Sequence, residues 1–154
     1  KDGDYQNIKT INSVGTSSWT DSSVKTGKTY YYKIKTVVKT QNGEQTSGFS
    51  NVKSAKAVPA KTTLKAKASD AKNVKLTWSK VKGASGYEIY RSNSKDGKYS
   101  KVKTISKGGT ISYKNGKLKK STTYYYKIRA YRKVNGKKVY GSYSSVVSVK
   151  TKAK

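Results

Sequence analysis

The chain repeats itself at an offset of 94 residues, and this bounds its architecture before any local signal is weighed. Lys1-Asp2-Gly3-Asp4-Tyr5 returns as Lys95-Asp96-Gly97-Lys98-Tyr99, and Lys9-Thr10-Ile11 as Lys103-Thr104-Ile105. Gly15-Thr16 matches Gly109-Thr110, Trp19 matches Tyr113, and Phe49-Ser50 matches Tyr143-Ser144. Thr29-Tyr30-Tyr31-Tyr32-Lys33-Ile34 matches Thr123-Tyr124-Tyr125-Tyr126-Lys127-Ile128 without a gap. The first copy has no counterpart of residues 63–94. One complete repeat, residues 59–152, therefore follows the back part of another, residues 1–57. A period of this length is too long for a solenoid unit and suits a small domain.

Every local pattern is strand-like. Val74, Leu76 and Trp78 alternate with Lys75 and Thr77, and Tyr87 and Ile89 alternate with Glu88 and Tyr90. Tyr124, Tyr126, Ile128 and Ala130 alternate with Tyr125, Lys127 and Arg129. Turn formers separate the runs: Lys82-Gly83, Asp96-Gly97, Gly108-Gly109, Asn115-Gly116 and Asn135-Gly136. The Asn-Gly and Asp-Gly pairs suit type I′ hairpins, which need positive φ at both central residues. Short strands at this spacing, with no helical stretch, predict an all-β sandwich.

Composition excludes several function classes. Cys, His and Met are absent, which removes disulfides, thiol nucleophiles, soft metal sites and imidazole bases. The seven acids, Asp2, Asp4, Asp21, Glu44, Asp70, Glu88 and Asp96, are scattered, and no pair suggests acid/base catalysis. Asp2 with Asp4 is the nearest approach to a calcium site, and Lys98 stands at the second position in the other copy. No cofactor and no catalytic activity are expected. Nothing apolar is long enough to span a membrane, and there is no signal-peptide pattern. The chain starts at Lys1 without Met and reads as a mature or excised piece of a longer parent that carries other domains.

The complete repeat resembles a fibronectin type III domain, of the kind found in tandem on secreted and surface proteins of Gram-positive bacteria. Asn73-Val74-Lys75-Leu76-Thr77-Trp78 would be strand B, with Trp78 the buried core indole, and Gly86-Tyr87-Glu88-Ile89-Tyr90-Arg91 would be strand C. Leu118 and Tyr124, six apart, match the family's corner, where a tyrosine hydroxyl bonds back to the backbone before strand F. The resemblance implies a core containing Trp78, Tyr87, Ile89, Leu118 and Tyr124. Residues 1–57 would supply strands C′ to G only. Lys120 stands where the family has a proline. Pro59, the only proline, leaves almost no linker between the modules, which implies a stiff pair.

The partial copy cannot bury enough surface to fold alone. Either the parent extends upstream, the simpler case, or another chain completes the sandwich as a donor strand would, which an ordered remnant would favour.

Thirty-five Lys+Arg against seven acids give a formal net charge of +28, and only Arg91, Arg129 and Arg132 are arginine. Lysine does not read base edges as a bidentate arginine fork does, so specific nucleic-acid recognition is disfavoured. The charge fits salt-dependent contact with an anionic cell-wall polymer or polysaccharide, and equally fits solubility and protection of sheet edges. The resemblance puts strands C, C′, F and G in one sheet. Alternation then predicts an outer ligand face of Tyr90, Lys101, Lys103, Tyr125, Lys127 and Arg129, repeated as Tyr31, Lys33 and Lys35. Such a face could stack on sugars or hold anions, or simply stabilise an exposed sheet. Glu88 faces outward by parity, which argues against its use as a buried catalyst of an isopeptide crosslink. The expected role is that of an extracellular, non-catalytic spacer or adhesion module, retained on the wall by lysine contacts. The alternative is a carbohydrate- or protein-binding accessory module of a secreted hydrolase.

Overall fold

Alternating apolar residues in runs too short for helices leave this chain only sheets with which to bury its tyrosines. The computed structural model describes residues 3–154, so Lys1 and Asp2, with the calcium reading that uses Asp2, lie outside the described residues. The chain divides into two compact units, Lys1–Ala57 and Val58–Lys154.

The second unit is a two-sheet sandwich. One sheet holds β5 (Leu64–Ala68), β6 (Val74–Trp78) and β9 (Ser112–Asn115). The other is built on β10 (Thr123–Val134), with β7 (Gly86–Ser92) and then β8 (Ser100–Ile105) on one side. On its other side β10 pairs first with β12 (Val147–Lys150) and then with β11 (Lys137–Tyr140). Leu64, Val74, Leu76 and Trp78 from the first sheet pack against Tyr87, Ile89, Tyr124, Tyr126, Ile128 and Ala130 from the second. Leu118 closes the core and is buried, and the Trp78 and Tyr87 rings meet at 5.4 Å. The Tyr124 hydroxyl accepts from the Lys119 N–H at 3.0 Å, the corner bond that the family resemblance implies.

Of the glycine pairs, only Asn135-Gly136 has both residues at positive φ, and it forms the tight β10–β11 turn. Asp96-Gly97 lies in a longer connection that needs no such turn. Asn115 is not a turn residue at all: it ends β9, buried, and accepts from Tyr126 Oη at 2.9 Å and Arg91 Nη1 at 3.2 Å. The positive φ after it falls on Lys117.

Among the described residues the first unit has four strands: β1 (Thr29–Tyr32), β2 (Val37–Thr40), β3 (Gly43–Thr46) and β4 (Lys53–Lys56). Each lies 94 positions before its counterpart, at β10 (both halves), β11 and β12, and the registers agree: Thr29↔Lys56 repeats as Thr123↔Lys150, and Val37↔Thr46 as Tyr131↔Tyr140. Finer contacts repeat too. The Lys25 N–H donates to Tyr30 Oη at 2.9 Å as Lys119 does to Tyr124, and Tyr32 Oη donates to Asp21 as Tyr126 does to Asn115. The Ser50 N–H reaches the Ile34 carbonyl as Ser144 reaches Ile128.

The resemblance implies strands C′ to G for residues 1–57, but residues 6–11, the counterpart of β8, form no strand, and the counterpart of β10 is interrupted at residues 33–36. In the second unit β8 pairs only with β7, and residues 127–130 pair with Tyr87–Tyr90 of β7. The first unit contains no β7 counterpart among the described residues. Only those ladders form whose two strands are both present.

Candidate functional site

The outer face of the β8-β7-β10-β11 sheet places Tyr90, Lys101, Lys127 and Arg129 around one acid. Glu88 leaves β7 on the outer face, yet it is only 1% exposed. Parity gives its side correctly but not its cover. Arg129 Nη2 and Tyr90 Oη donate to Glu88 Oε2 at 2.9 and 2.8 Å, and Lys138 Nζ and Tyr140 Oη donate to Oε1 at 2.9 and 3.2 Å. Lys101 Nζ stands 3.5 Å from Oε1. Burial raises the Glu88 carboxyl pKa, but the bonds from Lys138, Arg129 and Tyr90 outweigh it and hold the value at about 2. Burial and the bond to Glu88 push the Tyr90 hydroxyl well above its ordinary range. The acid is an ionised anchor for three strands, held by Arg129, Lys138, Tyr90, Tyr140 and Lys101.

Around this anchor runs a line of rings and cations. Lys127 Nζ lies between the Tyr99 and Tyr143 rings, 4.2 and 4.5 Å from their centroids. The Arg129 guanidinium stands 3.7 Å from the Tyr140 centroid and 5.0 Å from that of Tyr143, and Tyr90 meets Tyr143 edge-on at 5.3 Å. The first unit repeats the motif: Lys33 Nζ lies 4.2 Å from the Tyr5 centroid and 4.0 Å from that of Phe49, and Lys35 reaches Phe49 at 5.5 Å. Sequence reasoning named the lysines but missed Tyr99, Tyr143, Tyr140, Tyr5 and Phe49. The signal was present, because aromatic–Lys–aromatic triplets recur at the same offset in both copies.

Tyr125 lies half-exposed on this face and Tyr31 is exposed. Lys103 departs from its expected place. A β-bulge at Ile89/Tyr90 sets Lys101 opposite Tyr90 but Lys103 opposite Ile89, a core residue. The extra residue breaks the alternation, so Val102 packs on the core and the Lys103 ammonium points towards Tyr113 of the other sheet, at 6.0 Å.

A second feature lies at one end of the sandwich. An open cleft of about 630 Å³ is lined by Arg91, Asn93, Lys117, Lys119, residues 121–123 and Tyr124, with no acid among them. Arg91 stands over the Tyr124 ring at 5.1 Å and donates to Asn115, which fixes its guanidinium in the cleft. Among the described residues no group of three or more Asp, Glu, His or Cys could hold a metal ion, and no helix is long and apolar enough to cross a membrane.

Solved structures of similar fold include fibronectin type III domains. The crystal structure of FN3tt is 22% identical, with a TM-score of 0.51 over 64% of this chain and 99% of that one. The sixth fibronectin type III domain of human fibronectin type III domain containing protein 3 is 18% identical, with a TM-score of 0.53 over 65% and 92% of the two chains. The FN1–FN3 segment of chicken CNTN1 is 22% identical, with a TM-score of 0.53, and matches 86% of this chain, a span longer than residues 58–154 alone, and 46% of that one. The fold is that of a fibronectin type III β-sandwich. No family model and no curated relative matches the sequence.

Proposed function

We propose that the chain is a non-catalytic pair of fibronectin type III modules, complete over residues 59–152 and partial over 1–57. It would belong to an exported bacterial protein, act as an extracellular spacer, and be retained at the cell surface by contact with an anionic polymer. The observation that carries the retention reading is the acid-free cleft of Arg91, Lys117 and Lys119, on a surface with five basic residues for every acid. A guanidinium already oriented by Tyr124 and Asn115 loses little freedom on meeting a phosphodiester or carboxylate, and its planar fork suits both. The outer face is less suited to sugars, because the Tyr143 and Tyr140 rings already hold Lys127 and Arg129.

The test is binding to an immobilised glycerol-phosphate polymer as salt rises from about 0.05 to about 0.5 M, where polyelectrolyte contacts weaken steeply. Binding that falls with salt, and falls further in an Arg91→Gln/Lys117→Gln/Lys119→Gln variant, supports retention. Salt-resistant binding that is lost in Tyr90→Ala or Tyr125→Ala would replace it with the carbohydrate- or protein-recognition reading.

A further inference from the structure

Arg91 ends the core-facing row of β7 with a charge. It lies two residues beyond Ile89, on the side of the strand that faces the other sheet, and there its Nη1 donates to Asn115 of β9 at 3.2 Å. Among the described residues no carboxylate forms an ion pair with it, whereas Arg129, on the outer face of the same sheet, pairs with Glu88 at 2.9 Å. Folding alone gains nothing from half-burying an unpaired charge.

The first copy treats the same corner differently. Asp21 stands at the place of Asn115 and accepts from Tyr32 Oη at 3.0 Å, as Asn115 accepts from Tyr126 Oη. Ser23, at the place of Lys117, caps that acid with its N–H at 2.9 Å and its hydroxyl at 2.6 Å. The corner therefore takes an acid or an amide, and its tyrosine is satisfied by either. Asn115 Nδ2 reaches only the Gly116 carbonyl, at 3.5 Å, so the amide is used for its oxygen. A carboxylate would supply that oxygen and pair with Arg91 besides.

We infer that Asn115 is the positioning residue that keeps the cleft cationic: a neutral acceptor that orients Arg91 without cancelling it, leaving the guanidinium's full charge for a phosphodiester anion. The inference rests on the cleft as the polymer contact, and adds what sets its charge.

The test measures binding of the full chain to the glycerol-phosphate polymer at low salt, with thermal unfolding beside it, for Asn115→Asp, Asn115→Ala, Arg91→Gln and the double variant Arg91→Gln/Asn115→Asp. Asn115→Ala takes the acceptor from the buried Tyr126 hydroxyl, so it should melt lower than Asn115→Asp, which keeps one. Binding should rank the other way: Asn115→Asp weakens it about tenfold by pairing with Arg91, and Asn115→Ala only about threefold by loosening it. In the Arg91→Gln background Asn115→Asp should add little, because its effect passes through Arg91. A merely structural asparagine would give the same rank in binding as in melting, and that result overturns the inference. So does an Asn115→Asp chain that binds like wild type, or one that loses as much binding in the Arg91→Gln background. Where Arg91→Gln itself weakens binding, those results leave the retention reading standing; Arg91→Gln that binds like wild type overturns both.

Discussion

Arg129 places Nη2 2.9 Å from Glu88 Oε2 and stacks its guanidinium 3.7 Å from the Tyr140 ring, while its Nε is buried with no hydrogen-bond partner. The pair is therefore held by the carboxylate's whole set of donors and not by one ideal contact. Removing the acid strands Arg129 and Lys138 against each other under a cover of rings. Glu88→Gln should lower unfolding free energy by about 3 kcal/mol, read by denaturant titration. The pH dependence has a defined sign. The folded carboxyl titrates at about 2, below its ordinary 4.5, so its stabilisation is complete above about 4.5 and is lost as pH falls towards 2. The wild-type chain should lose stability through that window, and the variant should lose distinctly less.

The corner tyrosines give a paired test. Tyr124→Phe leaves the Lys119 N–H without its acceptor and should cost about 1–2 kcal/mol in the main thermal transition. Tyr30→Phe removes the same bond beside a largely exposed face and should leave that transition where it was. Equal effects would mean that the two copies are equally well packed.

Two glycines are placed where no side chain fits. A Cβ on Gly86 would run into the Ile105 carbonyl and the Tyr131 hydroxyl, and one on Gly108 into the Ala84 carbonyl. The next residue, Gly109, faces open space. Gly86→Ala and Gly108→Ala should each destabilise by about 3 kcal/mol, with Gly109→Ala near neutral, as read from unfolding midpoints.

The two tryptophans should separate spectroscopically. Trp78 is 5% exposed and packed on Tyr87, whereas Trp19 is 45% exposed. Acrylamide should quench one emitting population readily and spare the other. Trp19→Phe should leave only the protected, blue-shifted emission. Quenchable emission in that variant would place Trp78 at the surface.

Much of this was legible in the sequence where periodicity has a direct structural cause. Trp78, Tyr87, Ile89 and Tyr124 face the core because a strand turns its side chains over every second residue. The offset of 94 links β1, β2, β3 and β4 to β10, β11 and β12, because each copy carries both strands of those pairs. Alternation does not see cover, which is why Glu88 looked exposed: Arg129, Lys138 and Tyr140 reach it from strands more than 40 positions away. Nor does it see an inserted residue, and the bulge turns Lys103 away from Lys101's face. The arrival of Asn115 under Tyr126 and Arg91 was hidden by its glycine neighbour, which made it read as a turn. The missing middle ladder of the first unit was foreseeable in principle, since a strand forms only where its partner exists.

The lysines flanking the first unit's open face also govern its colloidal behaviour. Lys33, Lys35, Lys39, Lys53 and Lys56 place like charge beside exposed Ile34, Val37 and Val38, so two such faces repel before they can touch. That protection has the range of the ionic atmosphere, about 10 Å at 0.1 M salt but only about 3 Å at 1 M. Concentrated salt should therefore turn a dispersed chain into one that scatters light, with the unburied isoleucine and valines as its adhesive.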